Sequence, residues 1–274
     1  MLTVRDYDMI SLDAVNDGIC AAHSFLWERA AEHKAGLIAA IEAERGRKRG
    51  IRRTNVGGGW HSDVDLPAWQ HPSVQALMDF IVACADRAVA ETNGIEPGWR
   101  REPWITQGWA NVNPPGGAAN ALHEHIQMNW HWAACYYVQC DYPDEAQAPA
   151  DATDLGRLVF ENRWHGLRLK DRPPHPQNCH FHMPREGEVV FFPAWQHHRV
   201  EPHRQAGNRI SIAFNLHSPE LERSRYWTFR PGPLQRRLPA LHDFINLLRG
   251  GKAHSSDGTP PGYPVGARRS GTTR

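Results

Sequence analysis

The chain has 274 residues, a formal net charge of +1 and five cysteines. A near-neutral charge is not typical of a nucleic-acid-binding protein, whose binding face is usually strongly basic. The longest apolar runs, such as residues 132–138, fall far short of the ~20 residues that a membrane span requires. The N-terminus lacks the pattern of a secretory signal, and an odd, scattered set of cysteines fits a reducing compartment. We therefore expect a soluble, cytoplasmic protein with no nucleic-acid or membrane partner; the sequence does not indicate its oligomeric state.

Two amphipathic helices are predicted in the first hundred residues. Apolar side chains recur at helical spacing over residues 21–45 and again over residues 73–91. The second helix is opened by Pro72-Ser73 and closed by Asn93-Gly94, which are typical start and stop signals. The Gly57-Gly58-Gly59 run between the helices favours an irregular loop in which the backbone can come close to another group.

A basic block, RGRKRGIRR, runs from Arg45 to Arg53 at the end of the first predicted helix. Cations are stabilised by the negative end of the helix dipole. We interpret the block as a solvated helix end.

The character of the sequence changes after residue 104. Short runs rich in β-branched and aromatic residues alternate with clusters of Pro, Gly, Asn and Asp, which predicts a series of strands. They are placed at residues 105–112, 120–126, 132–140, 156–161, 166–170, 178–182, 187–192, 197–202 and 208–216. Residues 141–154 and 163–177 interrupt the series and are interpreted as surface loops, the first having a smaller chance of acting as a lid.

Many short strands after two helices predict a mainly β fold, a sandwich or barrel with helices packed on one face. We expect a single domain over residues 1–250. It divides into a helical part (1–100), a β core (104–216) and a C-terminal extension (217–250). Residues 251–274 show no apolar period and are predicted to be disordered.

Histidines are the most conspicuous candidates for chemistry, since the chain contains 17 of them. They cluster at His123-Glu124-His125, His180-Phe181-His182 and His197-His198. Residues i and i+2 of a strand face the same way, so an H-x-H pair can bind one metal ion. The pair at 180 and 182 is interpreted as lying on an outer strand.

The sequence around the first and third clusters favours a metal site. His123 follows the turn that joins two predicted strands, and His198 follows an apolar strand that breaks at Pro193. Further on, Arg209 and Ser211 share one face of a strong strand, where a buried guanidinium could bind a carboxylate through two hydrogen bonds. Histidine ligands with a strand-borne arginine beyond them are what a non-haem Fe(II) oxygenase requires, because open metal positions must remain for a chelating co-substrate and oxygen.

The stretch from Trp109 to Asn215 resembles a bacterial group of 2-oxoglutarate/Fe(II)-dependent oxygenases. The segments that carry the resemblance are WANVNPPGGAAN, LHEH, ACYYVQ, LGRLVFENR, GEVVFFPAWQHHRVEP and NRISIAFN, with RTNVGGGWHSDVDL upstream. The resemblance implies a double-stranded β-helix (a jelly-roll of the cupin type) that uses Fe(II) and the co-substrate 2-oxoglutarate. It also implies that His198 is the distal iron ligand, and that Arg209 and Ser211 bind the remote carboxylate of 2-oxoglutarate.

The sequence does not decide which residue is the proximal iron ligand. The wider superfamily carries His-x-Asp or His-x-Glu at this place, whereas this chain has a histidine, His125, at the last position of the motif. In one reading, His123, His125 and His198 form an all-histidine face. In another, His125 is the proximal ligand, His123 lies behind it and water completes the face. In the third, Glu124 turns inward through a bulge, which strand alternation disfavours.

Neighbouring polar residues are assigned supporting roles. Asn111 and Asn113 share a strand face that leads toward His123, and we select Asn111 for a hydrogen bond to 2-oxoglutarate or substrate. Tyr136 and Tyr137 point to opposite faces, so at most one reaches the site, and Tyr136 is selected.

The expected activity is a dioxygenase that hydroxylates or otherwise oxidises a C–H bond of a small molecule or peptide, consuming O2 and 2-oxoglutarate and releasing succinate and CO2. Two alternatives remain. One is a cupin-like dioxygenase with a three-histidine iron site that does not use 2-oxoglutarate. The other is a non-catalytic β-sandwich that binds a ligand or a structural metal.

Overall fold

The structure is a computed structural model that describes residues 9–16, 21–96, 98–125, 129–140, 154–161, 179–223 and 262–266. The strands are β1 (Met9–Asn16), β2 (Ala21–Trp27), β3 (Asn55–Val56), β4 (Trp60–His61), β5 (Trp104–Asn113), β6 (Ala119–His123), β7 (Trp132–Gln139), β8 (Leu158–Glu161), β9 (Cys179–His182), β10 (Glu188–Pro193), β11 (His197–Val200), β12 (Arg209–His217) and β13 (Tyr263–Val265). The helices are α1 (Ala30–Arg47), α2 (Pro72–Asn93) and the short α3 (Pro219–Arg223).

The strands form two antiparallel sheets. The large sheet has the order β1-β2-β10-β7-β12-β5-β13, with β4 also paired to β5, and the small sheet has the order β3-β6-β11-β8-β9. From β5 to β12 the chain passes back and forth between the sheets, so that sequential strands are interleaved within each one. This interleaving is the topology of a double-stranded β-helix, and the predicted fold class is confirmed.

The two long helices, α1 and α2, pack on the outer face of the large sheet. Leu77, Phe80 and Ile81 of α2 belong to the same buried cluster as Ile212 and Phe214 of β12. A second apolar cluster, which includes Tyr137, Phe160 and Phe192, lies between the two sheets. The large sheet therefore buries one face under the helices and the other inside the jelly-roll.

The N-terminal prediction is correct for α2 and wrong for the start of α1. The helix predicted over residues 21–45 begins only at Ala30, because residues 21–27 form β2, which pairs with β10. Helix α2 has Pro72 in its first turn and ends at Gly94, whose φ of 60° is the left-handed conformation that glycine adopts without strain.

The prediction that residues 251–274 are disordered is wrong for Tyr263–Val265, which form β13 on the edge of the large sheet beside β5. Pro264 is compatible with this position because an edge strand leaves one row of backbone groups unpaired. The predicted strand at 166–170 and the loops at 141–153 and 163–177 lie outside the described residues. None of the helices in the described ranges is long and apolar enough to cross a membrane.

Candidate metal centre

Two of the predicted ligands are brought together by the register of the small sheet. Strands β6 and β11 are antiparallel neighbours in which His123 lies directly opposite His198. Side chains that face each other across such a pair lie on the same side of the sheet. The two imidazole rings accordingly approach to 4.2 Å between centroids.

His125 joins this pair from the segment that follows β6. Its backbone amide donates a hydrogen bond to the carbonyl of Ala194 at 2.8 Å, which fixes the chain beside the start of β11. The Nε2 atoms of His125 and His198 are 3.4 Å apart. One ring nitrogen from each of His123, His125 and His198 lies within 4.8 Å of the others. Glu124, the carboxylate of the third reading, is not part of this group.

Hydrogen bonds fix the orientation of two of the rings and the position of their protons. Nδ1 of His123 lies 2.7 Å from the carbonyl oxygen of Ala121, and Nδ1 of His198 lies 2.9 Å from that of Gln196. A carbonyl only accepts, so each Nδ1 carries the proton and each Nε2 keeps its lone pair for a metal. Burial lowers the pKa of both rings, which favours the neutral form that binds metals.

Burial and the neighbouring His123 lower the pKa of His125 well below its usual value. Three neutral imidazoles are a donor set that suits iron as well as zinc and copper. Because three ligands leave further coordination positions open, the set fits a catalytic rather than a closed structural ion. The residues present therefore fit Fe(II).

Aromatic side chains form the wall around the cluster. Phe192 packs edge-on against His198 with 4.6 Å between centroids, and the ring of Trp109 lies 5.9 Å from that of His125. His61 stacks on Trp109 at 5.4 Å, almost parallel to it. Burial lowers the pKa of His61 to about 4, partly offset by its hydrogen bond to the carbonyl of Ser62.

The predicted carboxylate clamp lies on the inner face of β12. The side chain of Arg209 is only 1 % exposed, and its Nη1 donates to the hydroxyl of Ser211 at 3.0 Å. The guanidinium also lies over the ring of Tyr137, 5.3 Å from its centroid. A buried guanidinium is costly unless hydrogen bonds and opposite charge compensate for lost water. The surroundings of Arg209 thus suit an anionic ligand.

Asn111 lies next to this clamp, directly opposite Ser211 in the β5–β12 register. Its Oδ1 is buried and has no hydrogen-bond partner among the described residues. Buried polar atoms normally have a partner, so an unpaired acceptor marks a place for a hydrogen-bond donor such as water. The structure therefore brings Asn111, Ser211 and Arg209 together, as the sequence pattern predicts.

Tyr136 is on the wrong face for the role predicted for it. Its ring packs beneath the helices, 5.9 Å from Trp27 and 6.3 Å from Phe80. Tyr137 is opposite Ser211 in the β7–β12 register and belongs to the cluster between the sheets. The tyrosine that reaches the site is therefore Tyr137.

Sequence reasoning missed two further residues of the site, Trp109 and His61. Trp109 is separated from Asn111 by two positions in the same strand, so strand alternation could have found it. His61 is brought there by the pairing of β4 with β5, opposite Asn111, and no local pattern signals that contact.

A second group of potential ligands, Glu44, Asp63 and Asp65, already surrounds a cationic side chain. The ammonium group of Lys48 lies 2.8 Å from Glu44, 2.7 Å from Asp63 and 3.5 Å from Asp65. The positive charge of Lys48 takes the place of the charge that a bound metal ion would provide. We therefore place no metal there.

Residues 107–215 match the model of the family described as "Putative 2OG-Fe(II) oxygenase". This segment contains the three histidines, Asn111, Arg209 and Ser211. The resemblance predicted from the sequence is confirmed over this segment, which matches the 2OG-Fe(II) oxygenases, a class of oxidoreductase enzymes. The predicted cofactors, Fe(II) and 2-oxoglutarate, are those of this class.

No curated protein matches the chain. Solved structures show more distant similarity. A prolyl-4-hydroxylase from Pseudomonas putida is 15% identical with a TM-score of 0.45, over 76% of this chain and 91% of that chain. An oxidoreductase of the 2OG-Fe(II) oxygenase family from Burkholderia pseudomallei is 13% identical with a TM-score of 0.42, over 77% and 85%. HygX from Streptomyces hygroscopicus, with nickel and 2-oxoglutarate bound, is 14% identical with a TM-score of 0.46, over 74% and 84%.

Proposed function

We propose that this protein is a dioxygenase that oxidises a C–H bond of a small molecule or peptide, typically by hydroxylation, while 2-oxoglutarate is converted to succinate and CO2. His123, His125 and His198 would hold Fe(II), and Arg209, Ser211 and Asn111 would hold 2-oxoglutarate. The observation that carries this proposal is the convergence of three ring nitrogens within 4.8 Å of one another, in the segment that matches the family.

The histidines have the properties that iron binding demands. Their low pKa keeps them neutral, and the carbonyls of Ala121 and Gln196 hold two rings with Nε2 facing inward. Bound Fe(II), together with 2-oxoglutarate, supplies the activation of dioxygen. The chain itself positions the ligands and excludes water, since Phe192 and Trp109 cover the rings with apolar surface.

Arg209 would bind the remote carboxylate of the co-substrate. Its planar guanidinium can donate two parallel hydrogen bonds to a carboxylate, and the hydroxyl of Ser211, 3.0 Å from Nη1, can add a third. The side-chain oxygen of Asn111 is an acceptor and would not bind a carboxylate oxygen, so Asn111 would contact the ligand through its amide NH2 or through a water.

One observation favours the second candidate, a cupin-like dioxygenase that does not use 2-oxoglutarate. The cluster contains three histidines and no carboxylate, which is the ligand set expected of that alternative. The two candidates differ in their need for Arg209, because only an enzyme that uses 2-oxoglutarate requires a carboxylate clamp.

The test is succinate formation by the Fe(II)-loaded protein in the presence of 2-oxoglutarate and O2, screened against amino acids, peptides and small natural products. We expect succinate at a low rate without substrate and at a higher rate with the correct one. Oxygen consumption that does not require 2-oxoglutarate would instead support the cupin-like candidate. Absence of any oxygen consumption across the screen, with iron bound, would contradict both.

A further inference from the structure

The basic block from Arg45 to Arg53 consists of two halves with different surroundings. In the first half, Arg45 pairs with Glu42, Arg47 pairs with Glu44, and Lys48 is surrounded by three carboxylates. These cations are neutralised within the fold. The interpretation of a solvated helix end holds for this half.

The second half is different, because its charges are not neutralised within the described part of the chain. Arg49, Arg52 and Arg53 are exposed, and none of them forms an ion pair with a residue of the described ranges. Three like charges close together repel one another and cost free energy. A fold that keeps them adjacent provides a site of positive potential for an anion.

Two of these arginines, Arg49 and Arg52, line a cavity of about 310 Å³, whose lining also includes Gly57, Gly58 and His61. Gly57 and Gly58 both have left-handed backbone conformations, with φ of 64° and 87°. A Cβ atom at Gly58 would meet nothing within 4 Å. At Gly58 the backbone of the loop therefore faces open space, with no side chain between it and a bound group.

The cavity is next to the metal centre. Strand β3 pairs with β6, and the carbonyl of Thr54 accepts a hydrogen bond of 2.8 Å from the amide of Ala121, two residues before His123. On its other side, His61 lines the cavity and stacks on Trp109, whose ring contacts that of His125. The aromatic wall and the end of β6 thus form the boundary between the cavity and the histidine cluster, and a molecule anchored in the cavity has to extend past this boundary to reach the ligands.

We propose that this cavity binds an anionic group of the primary substrate, a phosphate or a carboxylate, and so directs a neighbouring C–H bond toward the iron. Guanidinium groups are the side chains best suited to such oxyanions, because they donate paired hydrogen bonds. The anion belongs to the substrate rather than to 2-oxoglutarate, since the co-substrate has its own clamp at Arg209. This assignment to a substrate rests on the proposed function.

The experiment is a titration of the full-length, 15N-labelled, metal-free protein with inorganic phosphate and, separately, with acetate. The amide signals of Gly57 and Gly58 and the indole signal of Trp60 report on the cavity. We expect saturable shifts of these signals. Tighter binding of phosphate would indicate a phosphorylated substrate, and equal or tighter binding of acetate would indicate a carboxylated one. If neither anion shifts these signals, the proposal is wrong.

Two variants make the titration specific. Arg49→Gln/Arg52→Gln/Arg53→Gln should weaken anion binding about tenfold or more, because it removes the two charged donors that line the cavity, Arg49 and Arg52, together with the neighbouring charge of Arg53. Arg45→Gln/Arg47→Gln removes two charges from the same block whose partners are internal, so its affinity should stay within about twofold of the wild type. Equal weakening in both variants would show non-specific attraction and overturn the proposal.

A second readout separates this inference from the proposed function. The absorption band that forms when 2-oxoglutarate binds to the Fe(II) protein should be unchanged in the triple variant. If the wild type gives cavity-specific anion binding but no such band, the anion site stands and the proposed function fails. If the band is present but the triple variant binds anions normally, the proposed function stands and the inference of an anion site fails.

Discussion

The two faces of β12 show how one strand can serve stability and chemistry at once. On the outer face, Ile212 and Phe214 are fully buried beneath the helices. On the inner face, Arg209 and Ser211 are equally buried, yet they are polar and hydrogen-bonded to each other. Both faces exclude water, so burial alone does not distinguish core from site.

The two faces differ in how the burial of their side chains affects the stability of the fold. An apolar side chain that loses water stabilises the fold, by roughly 25 cal/mol per Å². A buried guanidinium loses favourable hydration instead. Positions on the inner face are therefore expected to control ligand binding with little effect on stability, and positions on the outer face are expected to do the opposite.

The largest expected effect comes from His198→Ala, which removes an inner ligand. We expect stoichiometric Fe(II) binding and succinate formation to be lost, because the other two histidines cannot hold the ion alone. The denaturant midpoint of the metal-free protein should change little. Iron content measured after gel filtration tests this expectation.

His197→Ala is the matched control for this variant. His197 is the neighbour of His198 on β11, and strand alternation directs its side chain to the opposite face. The control should retain iron and activity. Full iron stoichiometry in His198→Ala would show that the metal site is misplaced.

On the outer face, Phe214→Ala should destabilise the fold by about 3–5 kcal/mol, since it leaves a cavity beneath the helices. Its iron affinity should be unchanged under conditions in which the protein is folded. Urea unfolding of the metal-free protein measures the first quantity, and metal titration measures the second. A variant that lost iron affinity while staying folded would break the distinction between the faces.

Arg209→Lys tests the clamp on the inner face. A point-like ammonium cannot replace the paired hydrogen bonds of a guanidinium, and losing a hydrogen bond to a charged partner costs ~1.5–3 kcal/mol. We expect the apparent constant for 2-oxoglutarate to rise roughly ten- to a hundred-fold, with iron affinity nearly unchanged. Succinate formed against co-substrate concentration provides the measurement.

The control for that substitution is Arg199→Lys, because Arg199 forms a partly exposed ion pair with Glu161 at 2.8 Å, away from the clamp. It should leave the 2-oxoglutarate dependence unaltered. An unaltered dependence in Arg209→Lys as well would favour the cupin-like candidate.

The smallest expected effect is on 2-oxoglutarate binding, when one of the two adjacent tyrosines is replaced by phenylalanine. Tyr137→Phe should weaken 2-oxoglutarate binding a few-fold, on the order of 1 kcal/mol, because it removes a hydroxyl beside Arg209. Tyr136→Phe should leave co-substrate binding unchanged, because its ring packs beneath the helices. The same succinate assay compares them, and a larger effect at Tyr136 would reverse the assignment of the faces.

Strand alternation predicts that Arg209 and Ser211 share one face of β12, because it depends only on a period of two. It could not choose between Tyr136 and Tyr137. Strand β7 is buried on both faces, so its sequence does not alternate between polar and apolar residues. Only its pairing with β12 shows which tyrosine faces Arg209.

The N-terminal error has a related cause. Residues 21–27 are mostly buried and contain no polar face, so their apolar spacing was compatible with the start of a helix. They form a strand because they pair with β10, which lies about 160 positions later in the chain. Tertiary pairing over such a separation leaves no local signal. The same is true of His61, which reaches the site only through its pairing with β5.

The most direct test of the central claim is an anaerobic titration of the Fe(II)-loaded protein with 2-oxoglutarate, followed by the charge-transfer absorption of the complex. The wild type should develop this band. His123→Ala and His125→Ala should lose it to a similar extent, as three equivalent ligands require. A band that survives in only one of these variants would show that the histidine it lacks is not an iron ligand. Absence of the band in the iron-loaded wild type would contradict the 2-oxoglutarate site altogether.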